Sequence, residues 1–141
     1  MRVLLINGSP HKEGCTNRAL QEVSDTLNQE GIETEIFWIG NKPIGGCIGC
    51  RKCGEIGQCV FDDVVNQIRD KVHAADGFVF GTPAHYGAAS GNMTAFMDRL
   101  FYSELRGCNN KGLYMKSAAA VISARRAGTT AAFDQMNKYF T

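Results

Sequence analysis

Four short, almost wholly apolar runs, each leading into a stretch with helical spacing, constrain this chain more than any other feature. Val3-Leu4-Leu5-Ile6 stops at Asn7-Gly8, and Ala19, Leu20, Val23 and Leu27 then fall on one face of a helix predicted from about Thr16 to Glu30, with Gly31 as its stop. Glu35 to Ile39 reads as a second strand. Asp62 or Asp63 can cap a second helix carrying Val64, Val65, Ile68 and Val72. Gly77 to Gly81 is a third strand, followed by the loop TPAHYGAASG and a helix with Met93, Phe96, Met97, Leu100 and Phe101 on one side. Ala118 to Ser123 is the fourth strand, and Thr130 to Phe140 the fourth helix, with Phe133, Met136 and Phe140 aligned. Strands that are apolar throughout are buried on both faces, and regular alternation with helices requires parallel crossovers. The prediction is an α/β fold: one domain over residues 1–141, with an open parallel sheet covered on both sides.

Such sheets bind ligands beyond the carboxyl ends of their strands. The unusual segments of this sequence all fall there: Gly8–Asn17, the Gly- and Cys-rich stretch 40–61, Thr82–Gly91 and Ser123–Thr129. The first, GSPHKEGCTN, joins a strand directly to a helix and is rich in Gly, Ser, Thr and Asn. Its backbone N–H groups, the helix dipole and the hydroxyls of Ser9 and Thr16 make it a candidate anion site. A Walker loop would need Lys before the Ser/Thr, where Cys15 stands, and G-x-G-x-x-G is absent. A Cys-x5-Arg phosphatase loop would need Arg at the position of Gln21.

The second segment contains CIGCRKCGEIGQC, in which Cys47, Cys50, Cys53 and Cys59 are spaced C-x2-C-x2-C-x5-C. Zinc ribbons use two separated C-x2-C knuckles, whereas closely successive thiolates suit an iron–sulfur cluster. Zinc and free thiols remain the alternatives. MRVLLINGSPH has too short an apolar run for a signal peptide, and no segment reaches the ~20 apolar residues of a membrane span. A cytoplasmic protein with reduced or metal-bound thiols is therefore expected. Cys108 reads as incidental, His73 as a solvent-side residue, and Asp98 and Arg99 as the polar side of their helix. The net charge of +1 argues against a nucleic-acid surface, and against an acidic electron carrier that docks on basic partners.

Three separated motifs, in order, resemble those of the NADPH-dependent FMN reductase group of the flavodoxin-like superfamily. GSPHKEGCTN is similar to its GSPR…GNT phosphate loop, and TPAHYGAASGNMTAFMDR to its TPVYxGSxSGxMKAFIDR segment. The cysteine run resembles that of iron–sulfur flavoproteins in the same superfamily. The resemblance implies a flavodoxin-like α/β/α sandwich with strand order 2-1-3-4. It also implies that a fifth strand and a last helix are missing from a chain that stops after four βα units. By position, Ser9, His11, Cys15, Thr16 and Asn17 would hold the FMN phosphate. Pro83, Ala84, His85, Tyr86 and Gly87 would line the flavin ring, and Ser123, Ala124, Arg125, Gly128 and Thr129 would form the third flavin-side loop. His11 departs from the family's usual Arg, Cys15 from its Asn or small residue, and His85 from its frequent Tyr. Arg125 or Arg126 could place positive charge near the ring.

The implied activity is electron transfer from NAD(P)H or reduced ferredoxin through FMN and a 4Fe-4S cluster. The acceptor would be a small molecule or a protein, and the assembly a homodimer or homotetramer. The alternatives are an FMN or quinone reductase without a cluster, and a zinc- or thiol-based redox sensor that is not an enzyme.

Overall fold

The computed structural model describes residues 1–141. Its frame is a parallel sheet of β1 (Arg2–Asn7), β2 (Glu33–Trp38), β3 (Gly77–His85) and β5 (Ser117–Ser123). The spatial order is β2-β1-β3-β5, because β3 pairs with both β1 and β5. This is the order 2-1-3-4 of the four long strands. The remaining strand, β4 (Ala88–Ala89), is a two-residue antiparallel return on the end of β3. The register puts Asn7 beside Trp38 and Gly81, and Pro83 beside Ser123. The carboxyl ends of all four long strands thus share one rim.

Alternation along the strands divides the core into two layers. Leu4, Ile6, Phe78 and Phe80 face one side, where they meet Val65, Ile68, Val72, Phe96, Met97, Leu100 and Met136. These come from α3 (Val64–Gln67), α4 (Arg69–Ala74), α5 (Gly91–Gly107) and α6 (Thr129–Asn137). Leu5 and Val79 face the opposite side and meet Leu20 of α1 (Cys15–Gln29). Burying one Leu of this kind contributes about 1.5–3 kcal/mol, which pins α1 to the sheet directly behind its own loop.

Several local expectations change. The single predicted second helix is two short ones meeting at Ile68. The loop predicted after Gly81 is largely strand: β3 continues to His85 and turns back through Tyr86 and Gly87, whose φ angles are 51° and 77°. A two-residue hairpin loop with both φ values positive matches the right-handed twist of its strands. Phe133 is exposed, and Ala132 takes the inward position beside Met136. In the cysteine segment only α2 (Cys53–Ile56) is helical. Arg99 is not on a polar face at all: it is 1% exposed.

Candidate functional site

The cleft at the sheet rim begins with Asn7. Its side chain is fully buried at the end of β1 and organises the loop that follows. Asn7 Oδ1 accepts from the Ser9 amide at 3.0 Å, while its Nδ2 donates to the Lys12 carbonyl at 3.2 Å and to Asn17 Oδ1 at 3.3 Å. Ser9 Oγ accepts from the His11 amide, and Trp38 Nε1 donates to the Ser9 carbonyl at 2.8 Å. Gly14 then opens α1 with no side-chain cap, and no acidic residue stands in the first turn. The leading amides and the positive end of the helix dipole are thus left to the cleft.

Two further loops meet this one. Thr16 Oγ1 lies 2.7 Å from Ser123 Oγ, tying α1 to the end of β5. Ser90 caps α5, takes the Thr82 hydroxyl as acceptor for its amide, and donates its own hydroxyl to the Gly8 carbonyl at 3.0 Å. The resulting cleft of about 420 Å³ is lined by Ser9, His11, Gly14, Cys15, Thr16, Pro83, Ala84, His85, Ser123, Ala124 and Arg125. That is within the range of small-molecule and cofactor sites.

Ten of these eleven residues are among those singled out in the sequence; the addition is Gly14. Arg125 lines the cleft and Arg126 does not. Asn17, Tyr86, Gly87, Gly128 and Thr129 stand outside the lining. Asn17 braces Asn7, and Tyr86 projects fully into solvent. Gly128, at φ +97°, lies so close to the hairpin that a Cβ there would come within 2.8 Å of the Gly87 Cα. A second cavity, about 440 Å³, lies between Phe78, Phe101, Tyr139, Phe140 and the segment 113–118. It is lined by residues at the amino-terminal end of β5 and by the end of the chain, and has no helix N-terminus opening into it.

The four clustered cysteines line one crevice with Ile48, Arg51, Val60, Phe61, Arg99, Tyr102 and Ser103. Cys53 is buried, Cys59 half-buried, and Cys47 and Cys50 exposed. Burial pushes the Cys53 thiol above its ordinary value, and the neighbouring Cys50 and Cys47 add to this. Outside this crevice, the ligand atoms of His73, Glu104 and Cys108 lie within 4.8 Å of one another. A mononuclear zinc site, with Zn–S bonds of about 2.3 Å, would hold its sulfurs about 3.8 Å apart. A 4Fe-4S cluster would take one thiolate on each of its four irons and so space the sulfurs more widely.

Two arginines fasten this segment to the α3–α5 side. Arg69 donates through Nε to Glu104 Oε1 at 3.2 Å, through Nη2 to Cys108 Sγ at 2.6 Å and through Nη1 to Gln58 Oε1 at 3.4 Å. Glu104 is fully buried and also bonds His73 Nε2 at 2.9 Å and the Gly112 amide. Cys108 and His73 therefore belong to an anchoring network. Arg99 is the second arginine. Burial opposes its charge, but hydrogen bonds to Asp63 and Cys59 outweigh that and raise the guanidinium above its ordinary value.

A flavodoxin-like α/β/α sandwich with an open cleft at its carboxyl rim has its ligand site where open parallel sheets bind their ligands. The chain belongs to the NADPH-dependent FMN reductase family, a family of flavoprotein oxidoreductases, whose pattern matches residues 1–141. It is 34% identical over 140 residues to an iron-sulfur flavoprotein of Methanocaldococcus jannaschii, covering 99% of this chain and 72% of that one. An iron-sulfur flavoprotein of Methanosarcina thermophila is 29% identical over 99 residues, which is 70% of this chain and 52% of the relative. The chain thus spans about half the length of some of the curated relatives it matches. Among solved structures, RosB with a bound riboflavin-phosphate intermediate superposes with a TM-score of 0.76 at 18% identity, covering 99% of this chain and 58% of that one. The NAD(P)H:acceptor oxidoreductase FerB of Paracoccus denitrificans gives 0.69 at 18% identity, over 98% and 70%. No helix is long and apolar enough to cross a membrane.

Proposed function

We propose that residues 1–141 are one FMN-binding domain that takes electrons from NAD(P)H or reduced ferredoxin and passes them through a 4Fe-4S cluster to a small-molecule or protein acceptor. The observation that carries this reading is the meeting of three loops around an uncapped helix N-terminus, at one rim of a parallel sheet. In it, the amides of 15–17 and the hydroxyls of Ser9 and Thr16 bind the phosphate, with His11 as a further donor and Asn17 bracing the loop. The Thr16 and Ser123 hydroxyls share one hydrogen bond in which either can be the donor, and the one that accepts keeps its proton for the anion. Pro83, Ala84 and His85 form one side of the ring site, with Tyr86 and Gly87 as the hairpin tip. Ser123, Ala124 and Arg125 form the other, supported by Gly128 and Thr129. Arg125 places positive charge beside negative charge that develops on reduction. FMN, when bound, supplies the exchange of two electrons with one partner and single electrons with another.

Cys47, Cys50, Cys53 and Cys59 are the cluster ligands in this reading. The closely successive spacing of the four thiols along the chain supports a polynuclear centre over zinc. The names of the two relatives described above support the same choice. The crevice between the thiols is narrow, about 20 Å³, and the exposed Cys47 and Cys50 are the two that would move to admit a cluster. Assembly as a homodimer or homotetramer belongs to the same proposal.

The test is anaerobic purification with a visible spectrum and counts of FMN, iron and sulfide per chain. One FMN with four irons and four sulfides is expected. A yellow, iron-free protein after anaerobic reconstitution would leave an FMN reductase without a cluster. A folded protein with no affinity for FMN would overturn the whole reading.

A further inference from the structure

Arg99 supplies the side-chain hydrogen bond that ties the framework of the fold to a sulfur of the four clustered cysteines. A guanidinium has five N–H donors, and here there are five contacts. Nε donates to Cys59 Sγ at 3.2 Å. Nη1 donates to the Gly45 carbonyl at 3.2 Å and to Asp63 Oδ2 at 2.7 Å, while Nη2 donates to the Phe61 carbonyl at 3.3 Å and to Asp63 Oδ1 at 2.9 Å. The Phe61 ring covers the guanidinium at 4.8 Å. Every partner lies between Gly45 and Asp63, the segment that carries the four cysteines. The arginine therefore closes that segment into a loop, while its own backbone belongs to the longest helix of the fold.

The charges are not arranged symmetrically. The Arg99 side chain is wholly buried, whereas the Asp63 side chain is 35% exposed. Water screens the carboxylate more than the guanidinium, and the guanidinium is the group in contact with sulfur. A charge-assisted N–H bond draws electron density from a thiolate, and hydrogen bonds to cluster sulfurs are among the determinants of cluster potential. Adding an electron to the centre increases negative charge at its ligand sulfurs. A donor fixed at one of them favours the reduced form.

We propose that Arg99 is a positioning residue for the cysteine centre. It holds Cys59 in the ligand set and, through the Nε–H···Sγ bond, raises the centre's reduction potential, while Asp63 partly offsets that effect. This rests on the assignment of a cluster to the four cysteines. It assigns Arg99 and Asp63 opposite electrical roles although they share one structural lock.

The experiment compares the full chain with Arg99→Lys and Asp63→Asn, each reconstituted anaerobically. Iron, sulfide and FMN are counted, and the cluster potential is measured by titration followed by electron paramagnetic resonance. Lysine keeps a charge but cannot reproduce the fork, so Arg99→Lys is expected to shift the potential to more negative values. Asp63→Asn removes the offsetting carboxylate and is expected to shift it to more positive values. FMN content and far-ultraviolet circular dichroism should match the parent in both. A merely structural lock would give both variants partial cluster loss and no opposed shifts, and that result overturns the proposal. Should Arg99→Lys lose its cluster altogether, the Asp63→Asn potential decides: a positive shift supports the proposal, and an unchanged or negative one overturns it. A parent protein that binds no iron or sulfide overturns the cluster assignment itself, a different outcome from an iron-loaded parent whose variants do not shift.

Discussion

The rim cleft and the cysteine crevice are built by opposite means. The cleft uses the ends of regular elements: three strands stop at one rim, and short loops of Gly, Ser, Thr and Pro bridge from there to helices. Its polar groups satisfy one another locally, as Asn7 does with Ser9, Lys12 and Asn17. The crevice is an irregular segment with one helical turn, and it borrows its shape from α5 and from two arginines that reach in from α4 and α5. A site made of strand ends survives wherever the sheet survives. A site made of borrowed contacts fails when a single lender changes. The two should therefore be separable by mutation.

The largest separation is expected at Gly107, the last residue of α5. A Cβ there would lie 2.5 Å from the Cys53 carbonyl oxygen and 2.8 Å from the Gly57 carbonyl carbon. Both are backbone atoms and cannot rotate away. Gly107→Ala gains up to about 1 kcal/mol of helix propensity but meets an overpacking cost of about 1–3 kcal/mol. The α2 turn must shift, and Cys53 with it. Loss of most of the iron and sulfide with full retention of FMN is the expected result. Equal loss of both cofactors would show that the two sites are not independent.

A smaller effect is expected at the cleft. Thr16 is 1% exposed and its hydroxyl shares the 2.7 Å bond with Ser123. Thr16→Val keeps the shape, removes that bond and takes one hydroxyl from the phosphate site. A buried hydrogen bond of this kind contributes about 0.5–1.5 kcal/mol, so FMN should bind roughly tenfold more weakly at most. Iron content should stay as in the parent. Fluorescence of the single tryptophan offers a direct titration, because Trp38 donates to the Ser9 carbonyl within the same loop.

The same contrast explains what the sequence made legible. The parallel sheet, its rim and the anion loop follow from local signals, namely apolar runs and a Gly/Ser/Thr loop before a helix. The strand order and most of the ten cleft-lining residues rest instead on the resemblance of three ordered motifs to a known family. Gly14 lies within the Gly8–Asn17 segment, but with no side chain it carries no mark of its own as a lining residue. The four cysteines were visible by spacing, but what holds them was not. Arg99 sits one residue after Asp98 in a helix whose apolar face is obvious, so helical spacing assigned it to the solvent side. Its burial depends on Asp63, which is 36 positions away in sequence. Cys108 and His73 gave no signal for the same reason: their shared partner network runs through Glu104 and Arg69, on two different helices. Pairing between distant charges leaves no periodicity to read.

The smallest expected effect lies at a group of charges that lines neither site and supplies the baseline for both. Glu35 bonds Lys71 Nζ and Arg2 Nη2, each at 2.6 Å. The Lys71 hydrogen bond is the main reason its carboxyl lies below the ordinary 4.5; partial burial opposes this, and the charges of Lys71 and Arg2 add to it. A carboxylate whose folded pKa is depressed contributes stability that is fully present above the unfolded value. That contribution is lost as pH falls through the folded one. The pair is partly exposed, so Glu35→Gln should lower stability by no more than about 1 kcal/mol at pH 7. Urea unfolding of parent and variant should converge as the pH is lowered below 4.5, where the parent's Glu35 also becomes neutral. Neither FMN nor iron should change at neutral pH, because none of Glu35, Lys71 and Arg2 lines either site. A change in either cofactor would mean that strain travels from this pair to a site it does not line, and the independence argued for the two sites would then fail at its base.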